Sequence, residues 1–362
     1  RRGDSSLRQG EQVYAFLNKI QKVGFRISPF VLDVAKQLEE RKVQVGKFIP
    51  LCDVVLPNKP VDIETNKESR QAYRRAAAEA YNLQAQMYNK SCRTRMIMNL
   101  ARKFEGRTFY HPFSADYRGR VYPIAPYLTP QCTDFGKSLL EFAEESPMTN
   151  AAEQWVAFAV STHYGNDKMD MINRLSWTYE NEDLITAVAT DPIEHIGIWE
   201  AAADPWCFLH ACHEYYHTCI IRDKLTTNYL VACDATCSGL QVLSGLARDA
   251  STARLVNVSP SKEPQDAYKV IAEESLHAIP DHIKPIWDRK CTKRSALTIP
   301  YNAKPFSNRQ YIRDALKEKG VEIEPEELTI IVAAVRDAME KIFPGPMSVM
   351  RWIEEEVAKA FK

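Results

Sequence analysis

Apolar residues recur at helical spacing from Glu68 to Phe104, which predicts one long helix with room for a single break. The chain around it, residues 1–105, reads as mostly helical and is interrupted by the proline-bearing loop from Pro50 to Pro60. From 106 to 249 the pattern changes, and runs suited to short strands alternate with helical stretches. Asn228-Tyr-Leu-Val-Ala-Cys-Asp234 is one such run, a short buried strand ending on a carboxylate. Ala235-Thr-Cys-Ser-Gly239 is a turn of small residues, and Leu240 to Arg248 has the spacing of the helix after it. From 250 to 362 the chain reads as mainly helical. There Arg289, Lys293, Leu297 and Tyr301 share one slowly drifting helix face, and Pro300 ends or kinks that helix. An apolar helix from about Glu327 to Phe343, a turn at Pro344-Gly345-Pro346 and a final amphipathic helix follow. The expected class is α+β and helix-rich.

Charge refines this outline. The 47 basic residues balance the 47 acidic ones, so bulk electrostatics exclude a protein that coats nucleic acid. The distribution is uneven. Arg74, Arg75, Lys90, Arg93, Arg95, Arg102 and Lys103 crowd the stretch from Arg70 to Arg107, whereas Glu318 to Glu356 leans acidic. Such a basic stretch either follows nucleic-acid phosphates or is a solvated helix face. Nine cysteines show no pairing pattern, which suits free thiols in a reducing compartment. No run is long enough to span a bilayer and no signal peptide is visible. A length of 362 residues accommodates roughly two or three compact units.

Two segments carry candidate chemistry. Arg289 and Lys293 repel one another across one helical turn, and an anion such as a polyphosphate relieves that repulsion. The plain alternative is a solvated basic face. Asp234, at a strand end beside a tight turn, suits a divalent cation, because Mg²⁺ takes one or two carboxylates and fills its octahedron with phosphate oxygens and water. Its plain alternative is a cap or turn residue. Together the two supply what nucleotidyl transfer requires. A rival motif is His213-Glu214-Tyr-Tyr-His217, the H-E-x-x-H pattern of helical zinc hydrolases, with His210, Cys212 and Cys219 nearby.

Asp234-Ala-Thr-Cys-Ser-Gly239-Leu-Gln241, Arg289-x-x-x-Lys293-Arg294 and Tyr301 resemble the single-subunit RNA polymerases of bacteriophages and mitochondria. Upstream, Asp116-Tyr-Arg118-Gly119-Arg120-Val-Tyr122 resembles that family's template-binding motif. Weaker similarity covers almost the whole chain, including Gln71-Ala-Tyr-Arg74-Arg75 and Pro205-Trp-Cys-Phe-Leu. Two positions depart from the family pattern: Asn302 stands where glycine usually follows the tyrosine, and Ala235 stands where glycine usually follows the aspartate. Asn tolerates positive φ, and alanine still offers its carbonyl.

The resemblance implies a partial right-hand polymerase: thumb-side helices over 1–105, the first part of the palm over 106–249, and an incomplete fingers region over 250–362. It implies DNA-templated RNA synthesis by two-metal nucleotidyl transfer. Asp234 and the Ala235 carbonyl would hold Mg²⁺, and Asp234 and Lys293 would be catalytic. Arg289, Lys293, Tyr301 and Gly239 would bind the ribonucleoside triphosphate, and Arg118, Gly119 and Arg120 would hold the DNA template. The family takes its second metal-binding aspartate from a later His-Asp motif, and no histidine follows His282. The expectation is therefore an internal fragment or a split subunit, inactive alone, with a second polypeptide supplying the rest of the palm. RNA is the expected product and the cytoplasm the expected location, that of the host for a phage-encoded protein. A family A-like DNA polymerase is the near alternative. It carries Glu where this chain has Gly239, so RNA synthesis is favoured. A nucleic-acid-binding module without turnover is the more distant alternative.

Overall fold

The computed structural model describes residues 10–116, 119–261 and 263–361, and these form a helix-rich α+β protein. Contacts divide the chain into two compact units, residues 1–232 and 233–362.

In the first unit, α1 (Glu11–Ile20), β1 (Gly24–Ile27) and α2 (Pro29–Glu40) lead to α3 (Lys67–Phe104), a continuous 38-residue helix. Asn66 starts α3, its side-chain oxygen accepting from the Glu68 and Ser69 amides at 3.0 and 3.2 Å. The buried residues of α3 are Ser91, Thr94, Ile97, Met98 and Ala101, so only its last third joins the core. Strands β2 (Phe109–Tyr110), β3 (Phe113–Ala115) and β4 (Val121–Pro123) follow, then α4 (Asp134–Ser138), β5 (Leu140–Phe142) and β6 (Ser146–Pro147). β1 is the centre of an antiparallel β2-β1-β5 sheet in which Phe25 faces Phe109 on one side and Phe142 on the other. Helices α5 (Asn150–Ser161), α6 (Met171–Glu180), α7 (Glu182–Thr190), α8 (Ile196–Trp199) and α9 (Pro205–Tyr215) complete the unit with β7 (Thr226–Thr227). α9 is its axis, buried on nearly every side. Trp206 on α9 lies 4.9 Å from Phe48 and 4.7 Å from Phe135, ring to ring. Asp134 meets the start of α9, accepting from the Trp206 and Cys207 amides at 2.9 and 3.0 Å.

The buried strand expected from Asn228 to Asp234 does not form. Strand pairing ends with β7, and residues 228–235 have no regular secondary structure. Tyr229 is buried and Leu230 and Val231 partly so against the first unit's core, so the apolar run does find cover. A strand also needs a neighbour for its amides. Beyond the Phe142 amide donating to the Asn228 carbonyl at 2.8 Å, no described segment forms a ladder with this run.

The second unit is helical: α10 (Ser238–Ala247), α11 (Ala250–Leu255), α12 (Ala267–Ser275), α13 (Arg289–Thr298), α14 (Pro305–Glu318), α15 (Pro325–Ile342) and α16 (Pro344–Ala360). Its core joins Ile271, Ile283, Ile299, Ile312, Leu316, Leu328, Ile331, Val335, Met339 and Phe343. Trp287 donates its indole N–H to the Ala272 carbonyl and the Ser275 hydroxyl, both at 3.2 Å, which fixes the approach to α13. The turn expected at Pro344-Gly345-Pro346 is instead the first turn of α16, and α15 meets α16 directly at Phe343. Proline at the first helical position loses no hydrogen bond, so these residues begin a helix here. Asp249 secures both neighbours: it caps α11 through the Ser251 and Thr252 amides and accepts from the Gly345 amide at 3.2 Å.

Candidate functional site

The second unit carries most of the chemistry. α13 buries Cys291, Thr292, Ser295 and Ala296, with Ile299 one turn on. Lys293 is exposed beside that inward stripe and Arg289 is partly buried, whereas Leu297, expected on the same face, is partly buried against the core. α13 ends at Thr298, and Ile299–Tyr301 continue as one turn of 3-10 helix around Pro300. Asn302 then adopts the left-handed conformation, φ 64° and ψ 33°, which asparagine tolerates better than most residues other than glycine. Tyr301 is half exposed.

The two cations differ in their surroundings. Arg289 is partly buried and donates its Nε–H to the Asp266 carboxylate at 2.6 Å. Its guanidinium carbon lies 5.7 Å from the Tyr268 ring. Lys293 is exposed, and no described residue makes a hydrogen bond or ion pair with it. Arg294 points elsewhere, pairing with Asp314 at 3.5 Å and lying over the Tyr311 ring at 4.7 Å. Among the described residues the face therefore presents one cation held by a carboxylate and one exposed cation without such a partner.

Asp234 is exposed, and its Oδ1 accepts from the Ala235 amide at 2.9 Å. Thr236 and Gln241 both donate to the Val256 carbonyl, at 3.4 and 2.8 Å, and so tie this turn to the end of α11. Cys237 begins α10 in a left-handed conformation, φ 56°. Burial pushes its thiol above the usual range, against a hydrogen bond from the Tyr268 side chain. Gly239 lies close to the end of the cationic segment. A Cβ on it would lie 3.0 Å from Pro300 Cβ and 3.2 Å from Tyr301 Cε2. The nearness of the Gly239 backbone to Pro300 and the Tyr301 ring brings the Asp234 turn beside the end of the α13 segment.

Sequence reasoning missed two residues. Asp266 reads as an ordinary helix cap, and it does cap α12, its Oδ1 accepting from the Tyr268 and Lys269 amides at 3.1 and 3.2 Å. Its other oxygen holds Arg289. Asn257, left-handed at φ 59°, clamps the Gln265 backbone, accepting from its amide at 2.7 Å and donating to its carbonyl at 2.8 Å. The same amide group reaches Thr236 Oγ1 at 3.2 Å. An Asp before an Ala-Tyr-Lys run signals the cap; nothing local signals the second partner.

In the first unit, β3 and β4 form a hairpin whose turn carries the motif around Gly119. Arg118 lies outside the described residues. The Asp116 amide donates to the Arg120 carbonyl at 2.8 Å, and Asp116 Oδ1 accepts from the Arg120 amide at 3.0 Å. Gly119 has φ 77°, and a Cβ there would meet nothing within 4 Å. Glycine is thus required by the turn's backbone and not by a close approach among the described atoms.

The zinc motif is occupied by other work. His213 stacks on Phe30 with centroids 3.8 Å apart. Burial, with the charge of His217 adding to it, lowers its pKa to about 3. Glu214 is buried and accepts from Lys224 Nζ at 2.8 and 3.1 Å and from the Thr227 hydroxyl. His217 Nδ1 bonds Asp223 at 2.9 Å. Among the described residues no three His, Cys, Asp or Glu side chains gather to hold a metal. All nine cysteines are free, and no described helix is long and apolar enough to cross a membrane.

Comparison with known proteins identifies the family. The family model described as DNA-dependent RNA polymerase matches residues 146–362, more than half of the chain. The DNA-directed RNA polymerase of Enterobacteria phage T3 is 26% identical over 95% of this chain and 44% of its own length. The T7 RNA polymerase of Escherichia phage T7 is 28% identical over 83% of this chain and 38% of its own length. The mitochondrial DNA-directed RNA polymerase of Neurospora crassa is 26% identical over 95% of this chain and 26% of its own length. The chain thus spans a quarter to less than half of these relatives.

Proposed function

The chain belongs to the DNA-dependent RNA polymerase family, and on that premise we propose that it carries the ribonucleoside triphosphate site of a single-subunit enzyme that copies DNA into RNA. The observation that supports this reading is the nearness of Gly239 to Pro300 and Tyr301, close enough that an added Cβ would lie 3.0 Å from Pro300 and 3.2 Å from the Tyr301 ring, so that the carboxylate turn and the end of the cationic segment are neighbours. In this reading Arg289 holds the distal phosphates, where a planar guanidinium suits paired oxygens. Lys293, exposed and without a partner among the described residues, contacts the α-phosphate region and gives a proton to the departing pyrophosphate. Tyr301 lies along the sugar and base. Gly239 leaves the ribose 2′-hydroxyl unopposed by any side chain, which favours ribonucleotides over deoxyribonucleotides. Gly119, Arg118 and Arg120 hold the template strand, and the basic part of α3 follows nucleic-acid phosphates. The thumb, palm and fingers assignments of the three chain regions belong to the same proposal.

Asp234 and the Ala235 carbonyl would hold Mg²⁺. An exposed carboxylate with one oxygen engaged only by a neighbouring amide keeps lone pairs for a cation that retains its waters. Such a metal, held there, would supply polarisation of phosphate oxygens and a lowered pKa for the attacking hydroxyl.

The test is ribonucleotide incorporation on a DNA template by the reading frame that carries these residues. Asp234→Asn and Lys293→Ala should each lower the rate by about 10²–10³-fold, the scale on which a charge-stabilising group acts at a transition state. Undiminished activity in either variant overturns the role given to that residue.

A further inference from the structure

We propose that Asp266 is a positioning residue that presents Arg289 to the triphosphate; the inference rests on the function proposed above. Asp266 divides its two oxygens between two tasks. Oδ1 caps α12 and so is fixed by that helix, while Oδ2 accepts the Arg289 Nε–H at 2.6 Å. A guanidinium held through Nε has its rotation about the side chain restrained, and its two Nη groups stay available for a second, bidentate acceptor. Thr292, one turn along α13, donates to the Tyr268 carbonyl at 2.8 Å, which fixes the register of α13 against the same turn of α12.

The cap is itself located relative to the metal-binding turn. Asn257 grips both backbone groups of Gln265, the residue before Asp266, and also donates to Thr236, two residues after Asp234. One asparagine therefore sets the distance between the turn that would hold the metal and the carboxylate that aims the arginine. Preorganisation of this kind lowers the ordering cost of binding.

The charge of Asp266 makes the idea testable by sign. A carboxylate near a polyphosphate repels it, so removing that charge should tighten binding if electrostatics alone operate. Positioning requires the opposite. Asp266→Asn keeps a good helix cap, but its single oxygen cannot both cap α12 and hold Arg289. The experiment measures GTP and GMP binding to the 362-residue chain by calorimetry, with thermal unfolding of each variant in parallel. Asp266→Asn should weaken GTP by about tenfold, the low end of what losing an orienting partner costs a ligand-holding group. GMP affinity should be unchanged, and the Arg289 Nε–H signal in nuclear magnetic resonance spectra should move. In an Arg289→Ala background the same substitution should leave GTP affinity unchanged. Asn257→Ala should reproduce part of the GTP loss. Equal or tighter GTP binding by Asp266→Asn overturns the proposal, as does an equal loss for GMP. A separate outcome bears on the underlying function: if Arg289→Ala and Lys293→Ala both bind GTP as the parent does, the triphosphate site itself is wrong.

Discussion

Replacing Gly239 by alanine sets two effects of known sign against each other. Gly239 is the second residue of α10, and alanine there relieves backbone entropy by about 0.5–1 kcal/mol at most. The added methyl would sit 3.0 Å from Pro300 Cβ and 3.2 and 3.4 Å from two atoms of the Tyr301 ring, whereas carbon atoms pack comfortably at about 3.5–4.0 Å. Pro300 has little room to yield. It follows fully buried Ile299, and the turn is closed by the Asn302 amide on the Ile299 carbonyl at 2.8 Å and the Ala303 amide on the Thr298 carbonyl at 3.1 Å. Tyr301 is half exposed. Overpacking costs about 1–3 kcal/mol, and contacts short by only a few tenths of an ångström put this site in the lower half of that range. The expected net result is a loss of about 1 kcal/mol, read as a lower urea midpoint with unchanged slope. Displacing the ring should also lower the preference for GTP over dGTP. In a Tyr301→Ala background the stability cost should fall but not vanish, because the Pro300 contact remains. Stabilisation by Gly239→Ala with unaltered GTP preference would refute the packing argument.

Two further predictions concern the first unit. Lys224→Met should destabilise the protein by about 2–3 kcal/mol, somewhat under the 3–5 kcal/mol of fully buried pairs because Lys224 is partly exposed, and it leaves Glu214 buried without its cation; elemental analysis of the parent should find no stoichiometric zinc. His213 has a folded-state pKa of about 3, below the ordinary 6.5, so between those values the unfolded chain binds the extra proton and stability falls as pH falls. His213→Phe should flatten that loss in urea titrations between pH 6.5 and 3, and an unchanged slope would count against burial of the ring.

How much was readable in advance depended on how local the determining interaction was. The exposure of Lys293 on α13, the end of that helix at Pro300 and the left-handed Asn302 all follow from residues within a turn or two, and the chain itself contains that information. The run Asn228–Asp234 has strand composition, but a ladder needs a partner that composition does not announce. His213-Glu214-x-x-His217 fits a metal pattern only until the long-range partners Phe30, Lys224 and Thr227 are seen. Asp266 announced its helix cap, while its grip on Arg289 spans 23 positions of sequence and emerges only when α12 and α13 pack. The nearness of Gly239 to Pro300 and Tyr301 was not legible, because nothing in either segment names the other.

The long helix α3 has a mechanical consequence. Its anchoring side chains lie between Ser91 and Ala101, so the stretch from Lys67 to Lys90 extends about 36 Å at 1.5 Å per residue without a buried side chain of its own. Such an element is a cantilever, stiff along its length and compliant only at its root. A tilt of about 5° where Ile97 and Met98 are clamped carries the far end sideways by about 3 Å while every backbone hydrogen bond of the helix stays intact. Arg74 and Arg75 ride near that far end. Their reach is therefore governed less by their own rotamers than by how tightly a handful of apolar side chains grip the base.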